Sequence, residues 1–168
     1  GHSLGGQLAC CRLGLDTEAC EALWLAGCGA PYWRAFPPRE RLWLPLAYRI
    51  LPWLAERAGS LPGRRIGFGG NEARGVMRDW AGTATSGRYA APGVGDLEPG
   101  MAAADVRVRA ALFERDWLAP ESSLRHLLSK LPRAAAEVAR FDAPVLGVTA
   151  DHFAWMKSPE TVAAWLSG

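Results

Sequence analysis

The apolar positions along the chain change period several times, and each change marks an element. Leu4, Leu8 and Cys11 recur at i, i+4 and i+7, which predicts a helix over residues 4–13 with Gly14 as its C-terminal stop. Residues 21–28 then form a short apolar run, Glu-Ala-Leu-Trp-Leu-Ala-Gly-Cys, followed by Gly and Pro. Such a run reads as a buried parallel strand. Residues 106–116 show period-2 alternation, with Val106, Val108, Ala110 and Leu112 on one side and Arg107 and Arg109 between them, and predict a strand. From Pro120 to about Leu131 the period returns to that of a helix, with Leu124, Leu127, Leu128 and Leu131 on one face. The last strand falls in 136–142 or in 144–149, and periodicity does not choose between them. Ser158-Pro159-Glu160 opens a final helix to Leu166, with Ser158 as N-cap and Pro159 at its first position.

Residues 31–100 differ from the rest. After Pro37-Pro38 the chain is apolar on most sides of a helix, through Leu42, Trp43, Leu44, Leu46, Tyr48, Ile50, Leu51, Trp53 and Leu54. Pro45 and Pro52 are expected to kink or divide it. Pro62-Gly63 is a turn, and 66–70 (Ile-Gly-Phe-Gly-Gly) is too glycine-rich to predict a strand. A second helix is expected over 71–82, then loop to about Gly100. The segment reads as a helical insertion, with Trp43 and Trp53 covered, because so apolar a helix requires a partner surface.

Composition adds little to this α/β picture. The 168 residues suit one domain or part of a larger one. Hydrophobic residues at 49% argue against disorder. Net charge is +2, and the 17 Arg and 2 Lys are scattered, so neither nucleic acid nor an anionic membrane is indicated as a partner. No apolar run has the length of a membrane span. Cys10, Cys11, Cys20 and Cys28 have no metal-ligand or disulfide spacing. They read as free thiols in a reducing compartment, and hence a cytoplasmic location. The chain starts at Gly1 rather than Met, so a leader would not be visible.

The chemistry begins at Gly1-His2-Ser3-Leu4-Gly5, which fits G-x-S-x-G. In that motif a strand turns sharply into a helix and leaves one hydroxyl exposed at the tip, and the flanking glycines remove side chains that would collide. The helix N-terminus favours developing negative charge, and the Leu4 N–H is the expected oxyanion donor. Asp116, at the end of the alternating strand, is the candidate acid, because strand C-termini line the site of a parallel sheet. Glu114, on the same strand face, is the alternative. Asp151 adjoins the candidate base and could not easily turn back to orient it. That base is His152, in the loop before the last helix. His126 lies opposite its leucine stripe, and the His2 side chain is expected to point away from that of Ser3. Ser3, Asp116 and His152 follow the chain order nucleophile, acid, base and are expected to converge.

With these residues in place, the sequence resembles the α/β-hydrolase superfamily, in the branch similar to serine aminopeptidases and monoglyceride lipases. The likeness is carried by Gly-His-Ser-Leu-Gly-Gly at 1–6, PGRRIGFGG at 62–70, MRDWAGTATSGRY at 77–89, FERDWLAP at 113–120 and DHFAWMKSPE at 151–160. It implies the C-terminal part of an α/β-hydrolase fold, a parallel sheet with flanking helices and a helical cap insertion. Residues 1–30 would hold the elbow, helix and strand of the core, 31–100 the cap, and 101–168 the acid and histidine. It implies Ser3 as nucleophile, Asp116 as acid, His152 as base and Leu4 as one oxyanion donor. Where the branch often has a second acid before the Asp, Arg115 stands here.

The implied activity is hydrolysis of carboxylic esters or related acyl compounds through an acyl-enzyme. The substrate would be a small acyl compound, apolar if the Trp-rich cap lines its pocket, and no cofactor or metal is implied. The same residues serve peptide or thioester hydrolysis and acyl transfer, and a non-catalytic interaction domain is the alternative of another class. The family's earlier strands, and the loop that supplies its second oxyanion donor, have no counterpart here. The resemblance therefore implies a piece shorter by about 100 residues, with little activity of its own.

Overall fold

A computed structural model of the chain describes residues 1–66 and 70–168. In chain order its elements are α1 (Leu4–Leu15), β1 (Ala22–Ala26), α2 (Pro38–Arg41), α3 (Leu44–Ala58), β2 (Ser60–Pro62), α4 (Gly63–Ile66), β3 (Asn71–Ala73) and α5 (Arg74–Ser86). There follow β4 (Ala90–Ala91), β5 (Gly95–Asp96), α6 (Glu98–Ala103), β6 (Arg107–Phe113), α7 (Glu121–Leu128), β7 (Ala135–Phe141), α8 (Ala143–Leu146) and α9 (Glu160–Ser167). They fall into two compact units, Gly1–Ala30 with Leu97–Gly168, and Pro31–Asp96.

The first unit is built on a parallel sheet in the order β1-β6-β7. Leu25 pairs with Ala110, and Ala110 with Val138. Parallel neighbours require crossovers, and α7 lies in the connection from β6 to β7. The alternation in β6 has a physical outcome on each face. Val108, Ala110 and Leu112 are buried on one. On the other, Arg107 is exposed, Arg109 lays its guanidinium near the Trp165 ring and donates to the Trp165 carbonyl, and Ala111 and Phe113 are buried beside Val162 of α9. Helix α1 approaches β1 closely, because a Cβ on Gly6 would lie 2.6 Å from Cys28 Sγ and 3.0 Å from Leu25 Cδ2.

The second unit packs α3 against α5. Tyr48 meets Trp80 edge-on at 5.0 Å and donates its hydroxyl to the Pro31 carbonyl at 2.6 Å. Leu44, Ala81 and Ala84 share that core, and Ala55, Leu61 and Met77 form a second. Two antiparallel ribbons, β2-β3 and β4-β5, accompany the helices and stand apart from the parallel sheet.

Several expectations need correction. Helix α1 runs through Gly14 to Leu15, with Asp16 as its C-cap. Residues 37–58 are divided at Trp43 rather than at the prolines: Pro45 sits in the first turn of α3, and Pro52 lies inside a continuous helix. Trp43 and Trp53 are 42% and 53% exposed rather than covered, and Arg57 lies over the Trp53 ring. Residues 71–73 form strand β3 rather than the start of the helix, α5 runs from Arg74 to Ser86, and the expected loop after it holds β4, β5 and the start of α6. The last strand is β7, so 136–142 is the nearer reading. Residues 144–149 cannot form it, because Asp142 caps a helical turn there by accepting from Val145 N, and Gly147 ends the turn at φ +69°. Pro159, not Ser158, precedes α9 as N-cap, and no side-chain cap is made. Most of the 66–70 stretch, read from sequence as no strand, lies outside the described residues.

Candidate active site

Ser3 sits where a sheet turns into a helix. His2 bridges Ala26 in parallel fashion, Ala26 N donates to Gly1 O, and Ser3 N donates to Ala26 O. Leu4 then opens α1. The turn forces Ser3 to φ +50°, ψ −125°, and it is the one non-glycine with positive φ among the described residues. Backbone held in so sparsely populated a region persists only where the surroundings over-determine it, and such residues cluster at functional sites. Gly1 permits the turn, because a Cβ there would stand 2.7 Å from the Gly5 backbone. Gly5 is different from the expectation, since its own Cβ would meet nothing within 4 Å.

Asp116 follows β6 by three residues, in a turn closed by its N–H on the Phe113 carbonyl at 3.1 Å. Its carboxylate is buried. Oδ1 accepts from Leu118 N at 2.9 Å and Ala119 N at 3.0 Å, which leaves Oδ2 for one more donor. That donor is His152 Nδ1, at 2.8 Å. With its proton held on Nδ1, the imidazole turns a lone pair on Nε2 toward Ser3, whose hydroxyl donates to it at 2.9 Å. His152 is 5% exposed. Its loop is fixed by Asp151, whose Oδ1 accepts from Phe153 N and Ala154 N; these bonds, Ala154 N first, hold the Asp151 carboxyl below its ordinary value.

The chain thus brings together the three residues singled out from sequence. Glu114 is exposed, and His126 lies half-buried on α7. Two neighbours were not legible. Gly27, at φ +50°, leaves room for the contact between Asp116 and His152: a Cβ there would lie 3.1 Å from Asp116 Oδ2 and 3.4 Å from His152 Nδ1. A glycine ending an apolar run was the only available sign of it. His2 places its ring 4.7 Å from that of His152. Burial, then the neighbouring His152, holds its pKa below the ordinary value. No sequence rule announces such a contact. Among the described residues no cluster of three or more His, Cys, Asp or Glu is placed to hold a metal, and no helix is long and apolar enough to cross a membrane.

The parallel sheet, the elbow and the hydrogen-bonded Ser3-His152-Asp116 row place the chain in the α/β-hydrolase fold. Solved structures of similar fold include a Mycobacterium tuberculosis protein described as a non-heme bromoperoxidase (17% identity, TM-score 0.53, covering 99% of this chain and 64% of that one). Another comes from work on carboxylesterases of the thaumarchaeon Nitrososphaera gargenis (17% identity, TM-score 0.53, 100% and 62% coverage). A further Mycobacterium tuberculosis protein matches at 16% identity and TM-score 0.55, with 99% and 62% coverage. The chain therefore spans less than two thirds of the length of these structures. No protein-family model and no curated protein matches it.

Proposed function

We propose that the protein is a serine hydrolase acting on carboxylic esters or related acyl compounds, with Ser3 as nucleophile, His152 as general base and Asp116 as its orienting acid. The observation that carries this reading is the continuous row Asp116 Oδ2, His152 and Ser3 Oγ, with links of 2.8 and 2.9 Å, ending on a serine held in a strained turn. His152 Nε2 takes the Ser3 proton as Oγ bonds to the substrate carbonyl carbon. Asp116 stabilises the imidazolium formed. The Leu4 N–H, at the positive end of α1, stabilises the oxyanion. His152 then gives its proton to the leaving group, and the same residues activate water to hydrolyse the acyl-enzyme.

The carboxylesterase among the structures of similar fold agrees with ester chemistry. Residues 31–100 are assigned the part of a cap insertion, and 1–30 with 101–168 that of the hydrolase core. The free thiols favour the cytoplasm. By itself the 168-residue chain is expected to turn over slowly. The test is labelling of the natural full-length protein with a fluorophosphonate probe, followed by assay on short-chain esters, thioesters and peptides. Labelling at Ser3, lost in Ser3→Ala, with ester turnover supports the reading. A folded protein that is neither labelled nor active would indicate an interaction domain instead.

A further inference from the structure

We propose that His2 is a positioning residue for His152, tying the main chain of the base to the residue next to the nucleophile. This rests on the roles given above to Ser3 and His152. His2 Nε2 lies 2.9 Å from the His152 carbonyl oxygen, and a carbonyl can only accept, so the His2 ring donates from Nε2. The ring also packs on the imidazole of His152 at 4.7 Å and meets Trp155 and Phe153 edge-on at 5.7 and 6.1 Å. His2 is itself fixed, because it bridges Ala26 in the sheet.

The two loops are 150 residues apart in sequence, and their relative placement decides whether Ser3 and His152 meet in register. The Asp151 turn stiffens the histidine loop internally, and the Arg115 N–H to Ala150 O bond ties it to the loop that carries Asp116. The His2 bond joins it to the elbow. A neutral donor suits this place. A lysine or arginine could also reach the carbonyl, but its charge would oppose the imidazolium that His152 must become. Burial and the neighbouring His152 both favour the uncharged form of His2.

Two variants of the natural full-length protein test this. His2→Phe keeps an aromatic ring without the N–H, and His2→Gln restores an N–H near the position of Nε2. With p-nitrophenyl acetate, His2→Phe should lower kcat about tenfold, as expected for one neutral hydrogen bond, leave KM within about twofold, and be rescued to within about threefold of wild type by His2→Gln. Proton NMR provides a readout independent of turnover. The downfield Nδ1 proton that His152 shares with Asp116 should broaden in His2→Phe and stay sharp in His2→Gln. If both variants behave as wild type, or both are impaired alike, the hydrogen bond has no positioning role. If the wild-type protein shows no turnover at all, the hydrolase reading fails, and the NMR comparison alone decides the part of His2. Should His2→Phe not fold, His2→Leu replaces it in both measurements.

Discussion

A methyl group on Gly27 would press on the two heavy atoms of the Asp116–His152 hydrogen bond, 3.1 Å from Asp116 Oδ2 and 3.4 Å from His152 Nδ1. Its φ of +50° adds a backbone penalty of about 1–2 kcal/mol for any other L-residue. Gly27→Ala should therefore lower stability by about that amount in urea titration, and reduce kcat at least as much as a weakened Asp116–His152 bond implies. A stable, fully active Gly27→Ala protein would mean that the site relaxes more freely than its packing suggests. The cysteines illustrate burial acting on chemistry rather than geometry. Burial, then the neighbouring Cys11 and Cys20, pushes the Cys10 thiol up to about 12, burial pushes Cys11 to about 11, and Cys28 is pushed higher still. The thiolate is the reactive form, so burial makes Cys10, Cys11 and Cys28 less reactive than an ordinary thiol. Iodoacetamide at pH 8, read by peptide mass spectrometry, should modify half-buried Cys20 first and leave Cys10 and Cys28 untouched until the protein unfolds.

Among elements, α1 and α6 meet through glycines. A Cβ on Gly100 would stand 2.1 Å from the Gly14 carbonyl oxygen, and one on Gly14 would stand 2.7 Å from Leu97 Cβ. Backbone cannot yield as a side-chain tip does, so Gly100→Ala should destabilise by about 1–3 kcal/mol. Gly82→Ala provides the control. It lies in α5, where a Cβ meets nothing within 4 Å, and should gain up to about 1 kcal/mol from helix propensity. Both shifts are measurable as urea midpoints, and equal midpoints would contradict the packing argument. These glycines mark the limit of the sequence pattern. Gly14 matches the sequence signature of a helix stop, yet α1 continues past it to Leu15, and its lack of a side chain serves a neighbour more than 80 residues away. Apolar runs and periods located α1, β1, β6 and α7, although the Leu4-Leu8-Cys11 face that predicted α1 is not the one it buries, which carries Gln7, Cys10 and Leu13. They failed between Asp142 and Gly147, where Pro144-Val145-Leu146 is apolar enough for a strand, but a capping carboxylate and a left-handed glycine close a helical turn. Pro52 misled for the opposite reason, since packing of Tyr48 and Ala55 on either side of it holds α3 together across the missing hydrogen bond.

At the scale of the whole molecule, the site was legible because chain order and strand ends bring distant residues together. Ser3 at an elbow, Asp116 past β6 and His152 before α9 are fixed by topology rather than by local sequence, whereas His2 and Gly27 depend on side-chain packing. The same scale governs how active the 168 residues can be by themselves. A loosely held Ser3 would be one source of loss, but Gly1 and His2 are pinned to β1 through Ala26 and Trp24, so the elbow is already formed. The acid–base row is complete as well. What remains is the oxyanion site. The proposed mechanism draws one donor to that site from these residues, the Leu4 N–H. Losing one such donor lowers turnover by about 100- to 1000-fold. The 168-residue chain, assayed with p-nitrophenyl acetate beside the natural full-length protein, should therefore show a kcat lower by about that factor, while still reacting with a fluorophosphonate at Ser3. Retained labelling with lost turnover would assign the deficit to the oxyanion site. Loss of both would mean that the pinned elbow does not hold Ser3 in place, and comparable turnover abolished by Ser3→Ala would mean that Leu4 and the helix N-terminus suffice.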